Sequence, residues 1–407
     1  MFDPEHILVG LEIGTSKICV AVGEVHESGE LTITGFGQAR SRGVVKGEVI
    51  ESDTAGEDIR EALAQAEDMA DVEIESVYLA VTGNHIRALN IRGVHSIPTV
   101  DREITVEDVR EALENAKGNN CPPGYEVVDS VRQDFCVDQQ AVYDNPVGVI
   151  GSRVEASMHV IQGNSRRLER SRRALEGSTP VRVEKAVFSG LASALAVLTT
   201  EQKDAGAVVL DVGGGTAEYA LFHKGLLRHS GVLAVGGDHV TNDIAQGLDI
   251  PLSLAEELKV NFGSVGSGPS DGPAEHALAG IQGLPGRRVD LQRLRRIMAL
   301  RWEETLDWIV RDLSETLWLP QARAGVFLCG GGSRTRGLDA LVRRMFQLPV
   351  SRGQIRNVSG PTAVLENPEF STAIGLVRYG AMRALRQPRR WNFPLLRVLS
   401  PRLRRKN

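Results

Sequence analysis

The apolar positions of this chain switch between two periods, and the switches outline its elements. Residues 7–23 and 31–37 read as strands of a meander. The period then lengthens. Ile59, Leu63, Ala66 and Met69 recur at helical spacing, which predicts a helix over 53–70. The run 77–81 predicts a buried strand ending in Thr82-Gly83. Thr105 and Asp108 have the spacing of a capping box, and Val109, Ala112, Leu113 and Ala116 continue its apolar face. Alternating strands are expected over 127–137 and 153–161, then a basic helix over 165–175 and a small-residue helix from Gly190. Beyond these come a short helix, 254–260, a loop rich in Gly, Ser and Pro, 263–286, and a long helix, 290–319. The long helix shows one stripe: Leu294, Met298, Trp302, Leu306, Ile309, Leu313 and Leu317. A helix with small residues Ala373, Gly375 and Gly380 is expected over 371–385.

Three short strands, 7–9, 207–210 and 325–328, run into glycine-rich turns. The turns are Gly10 to Lys17, Asp211 to Thr216, and Gly330-Gly331-Gly332-Ser333. Glycine has no Cβ and tolerates positive φ, so successive N–H groups can converge on phosphate oxygens. Thr15, Ser16 and Thr216 add hydroxyls, and Lys17 can bring charge to a β- or γ-phosphate. Asp211, at its strand end, suits a hydrated Mg²⁺, which takes oxygen ligands and keeps several waters. A single such turn is ordinarily a hairpin; three at strand ends imply two halves closing over one nucleotide. Glu256 and Lys259 sit three apart on one helix face. They are either a surface ion pair of small worth or a pair placed to meet ribose and adenine.

Length changes this picture by adding domains: 407 residues exceed what one core usually holds. The net charge of −5 argues against a general nucleic-acid binder. The charge is uneven. No acid follows Glu369, and 378–407 carry nine arginines and one lysine, so the remainder stands at −5 − 10 = −15. A basic tail on an acidic body suggests one anionic surface as partner. Cys19, Cys121, Cys136 and Cys329 show no metal spacing. No signal peptide is evident and no apolar run approaches the ~20 residues of a membrane span, so a reduced, cytosolic setting is expected.

The three glycine turns and the small-residue helices from Gly190 and Ser371 resemble the actin, heat-shock chaperone and sugar kinase superfamily; Gly10 to Thr15, Ser41-Arg42-Gly43, Val77-Tyr78-Leu79-Ala80, Asn145-Pro146-Val147-Gly148, Gly190-Leu191-Ala192-Ser193, Asp211 to Thr216 and Ser371 to Leu376 are the more specific matches. Within it the chain resembles the FtsA family of bacterial cell-division proteins over about residues 7 to 385. The resemblance implies an α/β, actin-like two-domain fold with duplicated cores. Residues 1–83 and 163–200 would form the first domain, and 84–162 a small inserted subdomain. Residues 201–370 would form the second domain, with 264–320 as its smaller part, and 371–387 a closing helix. The implied cofactors are ATP and Mg²⁺. Gly14, Thr15, Ser16 and Lys17 would meet phosphates; Asp211 would hold Mg²⁺ through water; Gly213, Gly214, Gly215 and Thr216 would surround the γ-phosphate. Glu256 and Lys259 would flank adenosine on one side, Gly330, Gly331 and Gly332 on the other. The implied partners are the C-terminal peptide of FtsZ, further copies in a head-to-tail polymer, anionic inner-membrane lipid and later division proteins. No residue is nominated as a general base, so no catalytic residue is assigned. Glu12 departs from the Asp common in the superfamily.

Such proteins end in an amphipathic membrane helix, and 388–407 is the candidate. On a helical wheel Trp391, Leu395, Leu396, Val398, Leu399 and Leu403 share an arc, joined by Phe393, with Arg390, Arg397 and Arg404 opposite. Pro394 suits a helix start, whereas Pro401 removes a donor and breaks an unkinked rod. A disordered basic tail is the alternative. The expected location is the cytoplasmic face of the inner membrane at the septum. Arg287, Arg288 and Arg293, at the entry of the long helix, are either a solvated face or a site for an acidic peptide. Rival functions are the actin-like component of a type IV pilus machine and a small-molecule kinase of the same fold.

Overall fold

A computed structural model describes residues 7–26, 28–98, 102–118, 121–266, 274–277 and 288–386. The chain opens with β1 (Ile7–Ile13), β2 (Lys17–Val25) and β3 (Leu31–Arg40), an antiparallel meander. A small ribbon, β4 (Val44–Val45) and β5 (Glu48–Val49), leads into α1 (Ser52–Ala70). Two glycines let α1 lie close on β3. A Cβ at Gly35 would sit 2.5 Å from the Ala66 carbonyl oxygen, and one at Gly37 would overlap that of Ala62. The buried face of α1 is Ala55, Ile59, Ala62, Leu63 and Ala66. Met69, expected on this face, is 47% exposed; in the last turn the buried position is Ala70, which packs against Gly35 of β3. Strand β6 (Ser76–Val81) then pairs parallel with β1.

The next stretch builds a separate antiparallel sheet from β7 (Arg87–Ser96), β8 (Tyr125–Val137), β9 (Ala141–Tyr143) and β10 (Arg153–Asn164), in the order β7-β10-β8-β9. Helix α2 (Val106–Gly118), between β7 and β8 in the chain, covers this sheet. Its capping box forms: Asp108 accepts from the Thr105 N–H at 2.8 Å, and Asp108 N–H donates to Thr105 Oγ1 at 3.3 Å. After α3 (Ser165–Glu176), β11 (Arg182–Phe188) pairs parallel with β6 and completes a sheet ordered β11-β6-β1-β2-β3. Helix α4 (Ser189–Val197) follows, all nine residues buried.

The pattern then repeats. A short α5 (Thr200–Ala205) precedes β12 (Ala207–Val212), β13 (Ala217–His223) and β14 (Leu226–Leu233), a second meander. Helices α6 (Gly237–Leu248) and α7 (Leu252–Phe262) follow, then a ribbon of β15 (Glu275–Ala277) and β16 (Arg288–Asp290). Helix α8 (Leu291–Ser314) starts where Asp290 accepts from the N–H groups of Gln292 and Arg293. Its stripe from Leu294 to Leu313 is buried. Leu317 is not part of it and is 86% exposed: the helix stops at Ser314, Thr316 Oγ1 donates to the Leu313 carbonyl at 2.6 Å, and Pro320 follows. Strand β17 (Gly325–Cys329), α9 (Leu338–Phe346) and β18 (Val350–Arg352) complete a sheet ordered β14-β13-β12-β17-β18. Both five-stranded sheets thus share one plan, three antiparallel strands followed by two parallel ones.

After the short α10 (Thr362–Leu365), α11 (Ser371–Arg386) returns to lie beside α4 between the two sheets. Gly375 faces the Ala192 carbonyl so closely that a Cβ would overlap it, and a Cβ at Gly10 of β1 would overlap the Ala373 carbonyl. The four-stranded sheet reaches across to edge strand β14. Gln133 Nε2 donates to the Leu227 carbonyl at 2.9 Å, and Asn90 Nδ2 to that of Arg228 at 3.1 Å. Arg228, 2% exposed, pairs with Asp134 and lies over the Trp318 ring. His159 bridges Asn90 Oδ1 at 2.7 Å and Ser230 Oγ at 2.8 Å, and burial pulls its imidazole down to about 3.

Among the described residues no helix is long and apolar enough to cross a membrane. The proposed tail, including Trp391 to Leu403, lies outside the described residues. Gly375→Val should force α11 off α4 and lower stability by about 3 kcal/mol or more, read as a fall in melting temperature.

Candidate functional site

All three glycine turns open on one cleft between the sheets. Its lining includes Glu12 to Lys17, Gly47, Thr82, Asp211, Gly213 to Thr216, Glu218, Gly330, Gly331, Glu369 and Thr372. The first turn is shorter than the sequence pattern suggests. Gly10 to Ile13 belong to β1, and only Gly14-Thr15-Ser16 turn, closed by Gly14 N–H to the Lys17 carbonyl at 3.0 Å. Gly10 serves helix packing instead. The second turn has the same closure, Gly213 N–H to the Thr216 carbonyl at 2.8 Å. The two turns face each other. A Cβ on Gly214 would lie 3.3 Å from that of Ser16, and one on Gly215 would overlap Thr15 Oγ1 and sit 2.8 Å from Lys46 Cα. The N–H groups of Thr15, Ser16, Gly214 and Gly215 meet no acceptor among the described residues, which leaves four donors for an anion.

Asp211, in β12, is buried and fixed by the two central helices. Ser193 of α4 donates to its Oδ2, as does Thr372 of α11 at 3.1 Å. The third turn is pressed onto it: Gly330 has φ +77°, and a Cβ there would overlap Asp211 Oδ1. Two further acids, Glu12 and Glu218, are buried beside it. Burial, then the charge of Asp211, pushes the Glu12 carboxyl up to about 8. The same two causes push Glu218 up to about 7, and burial raises Asp211. Thr82 donates to Glu218, whereas Glu12 Oε2 is buried without a partner. Lys17 enters the cleft with its charge met by Glu369, Nζ to Oε2 at 2.5 Å, and lies over the Phe370 ring.

A second cavity, about 340 Å³, continues from the first past Ser16, Gly213, Gly214 and Gly331. Glu256, Lys259, Gly332, Arg334 and Arg336 line it. Glu256 and Lys259 are more than a surface pair. Lys259 Nζ lies 2.6 Å from Glu256 and donates to the Gly237 carbonyl at 3.1 Å and Thr241 Oγ1 at 2.9 Å, tying α7 to the start of α6. The predicted residues of the three turns and the α7 pair therefore share one continuous cleft. The arginine group lies apart, on α8 and its entry: Arg288 pairs with Glu275 across β15–β16 and Arg293 N–H is used by the Asp290 cap, while Arg287 lies outside the described residues.

Sequence reasoning did not assign Glu218, Thr82 or Glu369 to the site and noted Glu12 only as a departure. The signal was present: Glu12 and Glu218 are single acids inside otherwise apolar strands, where an uncompensated charge is costly. Glu369 carries no such mark, since its partner Lys17 is 352 positions away.

Comparison with known proteins agrees with this geometry. Residues 208–375 match the family model described as cell division protein FtsA, and 83–162 the model described as an SHS2 domain inserted in FtsA. The chain is 33% identical to cell division protein FtsA of Pseudomonas aeruginosa, covering 93% of this chain and 90% of that one. It is 36% identical to that of Neisseria meningitidis (90% and 88%) and 35% to that of Escherichia coli K12 (92% and 90%). Among solved structures, a PilM–PilN type IV pilus biogenesis complex aligns with TM-score 0.65 at 18% identity, covering 92% of this chain and 98% of that one. MreB 5 of Spiroplasma citri, bound to AMPPNP, aligns with TM-score 0.55 at 14% identity (94% and 98%). At these identities the structural matches speak for an actin-like fold.

The raised acids make the free protein pH-sensitive. Between about pH 4.5 and 8 folded Glu12 holds a proton that the unfolded chain has released, so stability is greatest at the acidic end and falls as pH rises. His159 works oppositely, but only below its unfolded value of 6.5. Melting of the ligand-free protein should therefore fall from pH 6.5 to 8, by roughly 2 kcal/mol of stability, and Glu12→Gln should flatten that slope.

Proposed function

The chain belongs to the FtsA family of cell-division proteins, and from that premise we propose that it is an ATP-binding scaffold that tethers FtsZ filaments to the cytoplasmic face of the inner membrane at the septum. The observation that carries the nucleotide part is the convergence of the three glycine turns on one cleft with unmatched N–H donors. In this reading Thr15, Ser16, Gly214, Gly215 and Thr216 receive the phosphates, and Lys17 exchanges part of its contact with Glu369 for them. The second cavity takes adenosine, with Glu256 and Lys259 on one side and Gly330 to Gly332 on the other.

Mg²⁺ fits the acids present. Three buried carboxylates, one with an oxygen lacking any partner, favour a cation among them. No group of three possible ligands among the described residues has the spacing to hold a metal directly. Asp211, with Glu12 near it, would hold the ion through water, and the ion would supply charge neutralisation to the phosphates. Ser193 and Thr372 fix Asp211 from α4 and α11, so whatever loads the cleft is felt by the helices between the two halves. Nucleotide would favour the closed arrangement to the extent that it binds it better, and so favour head-to-tail contacts.

The domain division at 84–162, 163–200, 201–370 and 371–387 belongs to this proposal. So do the recruitment of later division proteins and the FtsZ peptide at the entry of α8, near Arg287, Arg288 and Arg293. The basic amphipathic segment 388–407 supplies the lipid anchor, through Trp391, Phe393, the leucines and Val398, with Arg397 toward head groups.

Gly215→Ala places a Cβ against Thr15 and Lys46, so it should weaken binding of a fluorescent ATP analogue about tenfold or more. The tether is tested by co-sedimentation with anionic liposomes, with and without 388–407 and with added FtsZ. The full chain should pellet and carry FtsZ with it, and the truncated chain should not. A full chain that stays in the supernatant rejects the anchor.

A further inference from the structure

Away from the glycine turns, the four-stranded sheet and both five-stranded halves meet around a cavity of about 660 Å³. This lies in the size range of small-molecule pockets. Its floor is apolar and buried: Leu191 and Leu195 of α4, Phe222 of β13, Leu227 of β14 and Met158 of β10. Its walls carry four cations: Lys117, Arg132, Lys203 and Arg383. Two are answered locally. Lys117 lies 3.3 Å from Glu114, and Arg132 donates to the Asp144 carbonyl at 2.8 Å.

The other two lack a carboxylate. Lys203 and Arg383 form no ion pair among the described residues, and Arg383 meets only the neutral Tyr379 hydroxyl. Lys203 Nζ lies 5.7 Å from the Phe222 ring centroid, and burial, aided by nearby Arg378, lowers its ammonium to about 8. The one buried acid here, Asp129, is already engaged. Lys185 Nζ is 3.5 Å from it and the Tyr379 hydroxyl donates to it at 2.8 Å. The cavity therefore offers uncompensated positive charge above a hydrocarbon floor, a pairing that water satisfies poorly. The chain's own segment 387–407 contains no acid to meet these cations.

We propose that this cavity binds an amphiphilic anion, an alkyl chain bearing a phosphate or carboxylate head, with the chain on Leu195, Phe222 and Leu227 and the head met by Lys203 and Arg383. The site is separate from the nucleotide cleft and stands whether or not that cleft takes ATP. Two sources share this chemistry, a bilayer phospholipid and a free fatty acid.

The test is calorimetric titration of the full chain with dodecyl phosphate below its micelle concentration. Saturable binding is expected, about tenfold or more tighter than inorganic phosphate, with none for dodecyltrimethylammonium. Lys203→Gln and Arg383→Gln, singly and together, should weaken it, about tenfold for the pair, with melting unchanged; Lys203→Arg should restore it. Equal binding of the cationic amphiphile, equal binding of inorganic phosphate, or unchanged affinity in the folded double variant would overturn the proposal. Displacement by phosphatidylglycerol vesicles beyond that by phosphatidylcholine vesicles identifies a bilayer lipid, and displacement by laurate alone a free fatty acid. Displacement by neither rejects the alkyl anion.

Discussion

The rest of the molecule depends on how closely α11 lies on α4. Gly375 has no room for a side chain against the Ala192 carbonyl, and this approach brings Ser193 and Thr372 onto the same oxygen of Asp211. Two helices from distant parts of the chain thereby hold one carboxylate at the bottom of the cleft. The two five-stranded sheets sit on either side of that pair, so the turns at their strand ends are set opposite each other by backbone packing.

Electrostatics complete what packing begins. Glu12, Asp211 and Glu218 lie buried in one small region, and each is pushed toward its neutral form. Lys17 offsets this only in part, so the floor of the cleft disfavours negative charge. The four N–H donors above it have the opposite need. An anion with its own counter-cation answers both demands at once, whereas either ion alone answers one. Glycines and acids together therefore suit such a pair better than either set would alone.

Much of this was legible in the sequence. Strand and helix positions followed from apolar period, and the glycine turns marked their strand ends, because local backbone needs leave local traces. Gly10 misled: its glycine-rich context suggested a phosphate turn, while its actual reason is the carbonyl of Ala373, more than three hundred positions away. Met69 and Leu317 continued their stripes on paper, but in the last turn of α1 Ala70 takes the buried place, and Leu317 lies beyond the end of α8. Lys17 with Glu369, and Arg228 with Asp134, could not be foreseen, since pairing across such separations is decided by topology. The α8-entry arginines were visible as charge alone, and charge carries no address.

The contact of the four-stranded sheet with β14 has a mechanical meaning. That sheet grows out of the first half of the chain yet grips the outer strand of the second by side-chain hydrogen bonds at Leu227, Arg228 and Ser230. Two jaws joined only by α4 and α11 could open with one degree of freedom. With a third body fastened to both, the molecule is a closed linkage. Any rotation of one half against the other must turn the inserted sheet as well, or break Arg228 from Asp134 together with the hydrogen bonds at Leu227 and Ser230.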